Sequence, residues 1–147
     1  MTKKLALLWG ILCLLACACG KGEDSVEENL IKRLKNPGNV SEISLQEMTD
    51  FDWGSMYYFM PYTDKETAEK AIGFSSDDIS DNLTNDDGVY AVFVKGKEVV
   101  CQIQGLPENL GFQFEFGKID SYIKLDKKTT INFTIKKDDK IVTYKKK

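Results

Sequence analysis

Residues 56–66 read Met56-Tyr57-Tyr58-Phe59-Met60-Pro61-Tyr62-Thr63-Asp64-Lys65-Glu66. Five apolar residues stand in a row with no polar position between them. A strand with one face in water alternates, so this run predicts a central strand covered on both faces. Pro61 ends it, because a proline nitrogen has no hydrogen to give to a sheet ladder. Thr63-Asp64-Lys65-Glu66 then has capping-box spacing and predicts a helix through Ala68, Ala71 and Ile72. Gly73 is placed to stop that helix in the left-handed conformation. A strand buried on both sides, with a helix following it, requires a layered domain.

Working outward, Ser25-Val26-Glu27-Glu28 is another capping box. Val26, Leu30, Ile31 and Leu34 share a helical face behind it, and Asn36-Pro37-Gly38 closes the helix. Residues 40–51 fit two readings. Ile43 and Leu45 alternate as on a strand, while Ser44-Leu45-Gln46-Glu47 could cap a short helix. Downstream, Gly88 to Gln104 predicts a hairpin with Lys95-Gly96 at its tip. That tip sets Val92 opposite Val99, Tyr90 opposite Cys101 and Ala91 opposite Val100. Phe112, Phe114 and Phe116 alternate with Gln113 and Glu115, a half-buried strand with an aromatic inner face. Residues 119–125 form a weaker strand pattern. Residues 129–144 predict a second hairpin turning at Asp138-Asp139, with Ile135 opposite Val142 and Phe133 opposite Tyr144. The sum is an α+β domain: a mainly antiparallel β-sheet with two N-terminal-half helices packed on one face.

The chain has 147 residues, enough for one domain, and contains no histidine. That removes the commonest general base, the usual zinc site and the serine–histidine triad. Charge is unevenly placed along the chain. Residues 21–90 carry 16 acidic and 6 basic side chains, a balance of −10, and residues 91–147 carry 7 acidic and 12 basic, a balance of +5. Asp77, Asp78, Asp81, Asp86 and Asp87 form an acidic stretch that invites a calcium reading. It fails the EF-hand spacing, because with Gly88 as the loop glycine Leu83 and Val94 fall where the first and last carboxylates belong. No metal site and no cofactor is predicted. A single arginine, Arg33, and no recognised motif argue against nucleic acid as a partner. Asp52, Trp53 and Tyr62, near the ends of the aromatic strand, are the candidate binding residues, since aromatics at a surface make ligand or partner patches.

The first nineteen residues have the pattern of an export leader. Lys3 and Lys4 precede an uncharged, mostly apolar run of 15 residues from Leu5 to Cys19. The run is short of the ~20 apolar residues a membrane span needs. Leu14-Leu15-Ala16-Cys17 resembles the bacterial lipoprotein cleavage motif, the lipobox. In that family the cysteine receives a diacylglycerol thioether and becomes the first residue after cleavage. The resemblance therefore implies Cys17 as the lipid anchor, and Ala16-Cys17-Ala18-Cys19 offers Cys19 as the alternative. Residues 1–16 are then a signal peptide, 17–24 a lipid-anchored tether, and 25–147 a single α+β domain. Cys101 lies in an apolar strand pattern and reads as a small buried hydrophobe.

Phe51-Asp52-Trp53, the aromatic strand and Pro61-Tyr62-Thr63 together resemble a stretch of small secreted or lipid-anchored bacterial proteins of uncharacterised function. Gly54 stands where an Asp often follows the Trp in those proteins. The similarity covers roughly residues 43–104 and implies no activity. The sequence thus points to a membrane-anchored extracytoplasmic lipoprotein of the bacterial cell membrane or outer membrane. Its expected role is a non-catalytic binding or accessory one, with the membrane as one partner and an envelope protein as a candidate second. The alternatives are a carboxylate-dependent envelope enzyme using Asp52, and a small-molecule carrier whose aromatic sheet face carries Phe112, Phe114 and Phe116.

Overall fold

The computed structural model describes residues 24–81 and 88–147. Helix α1 spans Val26–Lys35, strand β1 Glu42–Ser44, helix α2 Leu45–Met48, β2 Ser55–Phe59 and helix α3 Lys65–Ile72. Then come β3 Val89–Lys95, β4 Glu98–Gly105, helix α4 Pro107–Leu110, β5 Phe112–Glu115, β6 Tyr122–Asp126, β7 Asn132–Lys137 and β8 Val142–Lys146. The strands form two four-stranded sheets, ordered β1-β7-β8-β5 and β4-β3-β2-β6. All pairings are antiparallel except β5 with β8, which is parallel.

The central strand is where the apolar run places it. β2 is paired on one side to β3 and on the other to β6. Met56 and Tyr58 enter one apolar cluster, and Tyr57 and Phe59 enter another. The first cluster lies between the sheets. It joins Phe93, Ile103 and Leu125 of one sheet to Phe112, Phe133 and Tyr144 of the other. The second lies on the outer side of β2 and β3, under Ala68 and Ile72 of α3 and under Ile79.

The α+β class and the dominance of antiparallel pairing agree with the sequence. The placement of the helices on one face does not. α1 puts Leu30 and Leu34 into the inter-sheet cluster, whereas α3 caps the opposite cluster. The difference arises because there are two sheets, so the first helix has the open side of a sandwich to fill.

Local chemistry explains most element ends. Ser25 and Glu28 bond each other's backbone N–H reciprocally at the start of α1, and Ser44 and Glu47 do the same at α2. Both readings of residues 40–51 are therefore realised in succession, with Ser44 ending β1 and capping α2. The α3 cap is Asp64, whose carboxylate accepts the Thr67 N–H at 2.7 Å. Thr63, one residue earlier, turns its hydroxyl back to the Met60 carbonyl instead. Gly73 closes α3 at φ 88°, as its position predicts.

Both hairpin registers differ from the predicted ones. The first turns at Gly96-Lys97, with Lys95 opposite Glu98. Gly96 has φ 59° and Lys97 does not share a positive φ, the pattern of a type II′ turn that matches strand twist. Val94 then pairs with Val99 but Phe93 pairs with Cys101, leaving Val100 as an extra, bulged residue. The bulge moves the inward set by one position. Cys101 and Ile103 consequently join Phe93 and Ala91 in the inter-sheet cluster, rather than facing Tyr90. The second hairpin pairs Lys137 with Val142 and Ile135 with Tyr144, around a loop of residues 138–141. That loop is held by the Asp138 carboxylate, which accepts the N–H groups of Lys140 and Ile141. Each residue's partner moves by two positions, Ile135 from Val142 to Tyr144, so every side chain stays on its predicted face.

One buried hydrogen bond ties the helix to the sandwich. The Tyr144 hydroxyl donates to the Leu34 carbonyl at 2.7 Å. That carbonyl belongs to the last turn of α1, where no helical N–H follows to satisfy it. Tyr144→Phe removes the donor and keeps the ring, so it should destabilise the fold by about 1–3 kcal/mol. Urea unfolding measures this; an unchanged midpoint would show that the carbonyl has another partner.

Candidate functional site

Trp53, Asp52 and Tyr62 do not converge. Trp53 is 2% exposed and sits edge-on to Phe93, with ring centroids 5.5 Å apart. Its indole N–H donates to the Thr49 hydroxyl at 2.8 Å. The Lys127 ammonium lies 5.6 Å from the ring centroid and roofs it over. Trp53 is thus a core anchor ahead of β2. Tyr62 is 68% exposed at the far end of β2, a separation of about 16 Å for a five-residue strand. Pro61 and Tyr62 occupy the middle of a turn, and Tyr62 takes φ 64°. Glycine or asparagine normally fills that place, and a bulky residue there stores strain of roughly 1–3 kcal/mol.

Asp52 is an exposed ion-pair hub. Its carboxylate accepts from the Lys95 ammonium and, at 3.3 Å, from that of Lys127. These two contacts, Lys95 first, hold its carboxyl below the ordinary aspartate value. The group is therefore ionised at neutral pH and fixed between two cations, not poised to exchange a proton. The same pairing shows where the charge asymmetry of the chain goes. Asp52 and Glu42, from the acidic half, meet Lys95, Lys127 and Lys147 from the basic half, because β1 lies beside β7 and β2 lies between β3 and β6.

Cys101 is buried, and burial, with Glu27 nearby, pushes its thiol up to about 12. It packs as a hydrophobe. Cys17 and Cys19 lie outside the described residues, as do Asp86 and Asp87. Asp78 accepts the Ser76 hydroxyl, and Asp81 accepts the Lys65 N–H at the start of α3. Among the described residues no group of three or more carboxylate or cysteine side chains is placed to hold a metal. No helix among them is long and apolar enough to cross a membrane.

The feature that does gather chemistry is a cleft of about 440 Å³ at the Pro61 end of the sandwich. Tyr58, Phe114 and Phe116 form its aromatic wall, with Tyr58 centred 5.9 Å from Phe114 and 4.8 Å from Phe116. Gln113, Glu115 and Lys145 supply polar groups along the β5 side. The sheet face expected to serve a carrier is mostly closed: Phe112 is fully buried and Phe114 nearly so, and only Phe116 is partly open. Sequence reasoning placed Tyr58 in a core strand and did not single it out. The signal that identifies it is long-range, since the strand that opens this side, β5, is neighbour to β8 in the other sheet.

No protein-family model, no curated protein and no solved structure matches this chain.

The electrostatic account of Asp52 is directly testable. In a carboxyl chemical-shift titration Asp52 should titrate below the usual aspartate range. In a Lys95→Ala, Lys127→Ala double variant its midpoint should rise toward the ordinary value. An unmoved midpoint would mean that the two lysines do not hold the carboxylate. The sign for stability follows: a depressed carboxyl adds stability above its unfolded-state value, and that stability is lost as pH falls through the folded-state value.

Proposed function

We propose that this protein is a lipid-anchored domain facing outward from a bacterial cell membrane or outer membrane, and that it binds rather than catalyses. The observation that carries the reading is Leu14-Leu15-Ala16-Cys17 at the end of an apolar run that follows Lys3-Lys4. Two or more acyl chains on Cys17 hold a domain at a bilayer stably, at roughly 0.8 kcal/mol per buried methylene, with no spanning helix needed. Seven residues from Ala18 to Asp24 then separate the anchor from Ser25, the α1 cap. A tether that short, at most ~25 Å when extended, keeps the folded part close to the lipid surface.

The binding reading is favoured over an enzyme by the state of the candidate acid. Asp52 is locked in ion pairs, and its neighbour Trp53 is packed shut. Paired-carboxylate hydrolysis needs a raised acid facing a second carboxylate across the substrate, and Asp52 meets neither requirement. An envelope protein remains the candidate partner.

Metabolic labelling with an alkyne-tagged palmitate analogue in a bacterial host tests the anchor. Wild type and Cys19→Ala should carry label, and Cys17→Ala should lose it and leave the membrane fraction. Label retained by Cys17→Ala but lost by Cys19→Ala would move the anchor to Cys19. Label on none of the three would overturn the reading.

A further inference from the structure

The cleft beside Pro61 has two properties that core packing does not require. The first is the Tyr58 hydroxyl. Among the described residues no fully buried side-chain polar atom lacks a hydrogen-bond partner. Tyr58 is only 9% exposed, its contacts are ring contacts with Phe114 and Phe116, and its hydroxyl bonds to nothing in the described protein. That hydroxyl must therefore reach solvent, and the opening it lines is the cleft. A phenol held at an aromatic wall without a hydrogen-bond partner among the described residues is a donor and acceptor available to a ligand.

The second property is the balance of the polar rim. Glu115 and Lys145 stand opposite each other in the β5–β8 register, both exposed, and neither forms an ion pair among the described residues. Gln113 gives one amide N–H to the Thr143 hydroxyl at 3.0 Å and keeps its carbonyl oxygen. One negative and one positive group together select no net charge, since like and unlike partners of a charged ligand cancel. Their side chains alternate with Phe114 and Tyr144 along β5 and β8, so with Gln113 they place donors and acceptors at the rim of the cleft, outside its aromatic wall, where the Tyr58 hydroxyl stands.

A ligand that matches carries no net charge, has an apolar C–H face for the rings, and carries hydrogen-bonding groups such as hydroxyls around its edge. That is the chemistry of a pyranose sugar, whose C–H face lies against aromatic π-faces and whose hydroxyls both give and accept hydrogen bonds. The size agrees: about 440 Å³ lies in the range of roughly 300–1,000 Å³ for small-ligand sites. The strained Tyr62 turn follows Met60 and Pro61, which line the same cleft. Strain of this kind persists where a site needs a fixed shape. We propose that the cleft walled by Tyr58, Phe114 and Phe116 binds a short, uncharged glycan. This goes beyond the lipid-anchor reading and does not rest on it.

The test is saturation-transfer difference NMR on the full chain in dodecylphosphocholine, a detergent without a sugar headgroup. The probes are cellobiose, maltose and N,N′-diacetylchitobiose at millimolar concentration, with phenylalanine and benzyl alcohol as zwitterionic and apolar competitors for the same space. At least one disaccharide should receive saturation, strongest on the protons of one ring face. Tyr58→Phe and Phe116→Ala should each weaken its binding fivefold or more. Tyr58→Phe breaks no hydrogen bond among the described residues, so its melting temperature should be unchanged or higher, which separates lost binding from lost folding. Saturation on none of the disaccharides overturns the proposal. So does saturation that survives both substitutions, or transfer only to phenylalanine or benzyl alcohol.

Discussion

Met56 and Tyr58 bury to one side of β2 while Tyr57 and Phe59 bury to the other, and neither pair can be left in water. Fully burying a large apolar side chain is worth roughly 1.5–3 kcal/mol, so both sides of this strand contribute comparably. The consequence is a layered molecule. β3 and β6 flank β2 in its own sheet, a second sheet closes over one face, and α3 closes over the other. Each layer is then committed by its own apolar set. β5, β7 and β8 present Phe112, Phe114, Phe133 and Tyr144 inward, and α3 presents Ala68 and Ile72. α1 fills the side that the two sheets leave open, and the Tyr144 hydroxyl satisfies its last turn.

The chemistry at the two ends of β2 follows from that burial. At its start, Trp53 is drawn into the core and roofed by Lys127, and Asp52 is left outside to collect two ammonium groups. At its end, Pro61 stops the ladder and the strand leaves the core through a turn that forces Tyr62 into a positive φ. Closure between the sheets is incomplete there. Phe116 closes only part of the gap, so Tyr58 has a ring in the core and a hydroxyl in the cleft. The candidate ligand site is thus the place where the central strand runs out of cover.

Local signals in the sequence were enough for the elements that depend on local physics. The apolar run 56–60 gave a two-faced strand, Ser25/Glu28 gave a capping box, Ser44–Glu47 allowed a cap beside a strand reading, and Gly73 gave a left-handed stop. The Phe112–Phe114 alternation gave an inner aromatic face. What local signals missed was pairing across distance. An extra residue at Val100 leaves no mark in periodicity, since Val99 and Val100 are equally apolar, yet it sends Cys101 to the inter-sheet side. The division of the eight described strands into two sheets was also hidden, because β5 pairs in parallel with β8 across an intervening strand of the other sheet and then β7. The same blindness applies to the site. Trp53 and Tyr62 are near in sequence but separated by a strand, while Tyr58 and Phe116 are far apart in sequence and in contact.

Native-state hydrogen exchange tests the central role of β2 most directly. If both faces of this strand are committed to separate layers, the β2 amides bonded to its two neighbours can exchange only when the whole molecule unfolds. They should be among the slowest in the protein, with the same denaturant dependence as global unfolding, while α3 and the edge strand β6 exchange earlier. β2 amides that exchange with a small, sub-global denaturant dependence would contradict the account, because the strand could then leave the sheet without dismantling the layers around it.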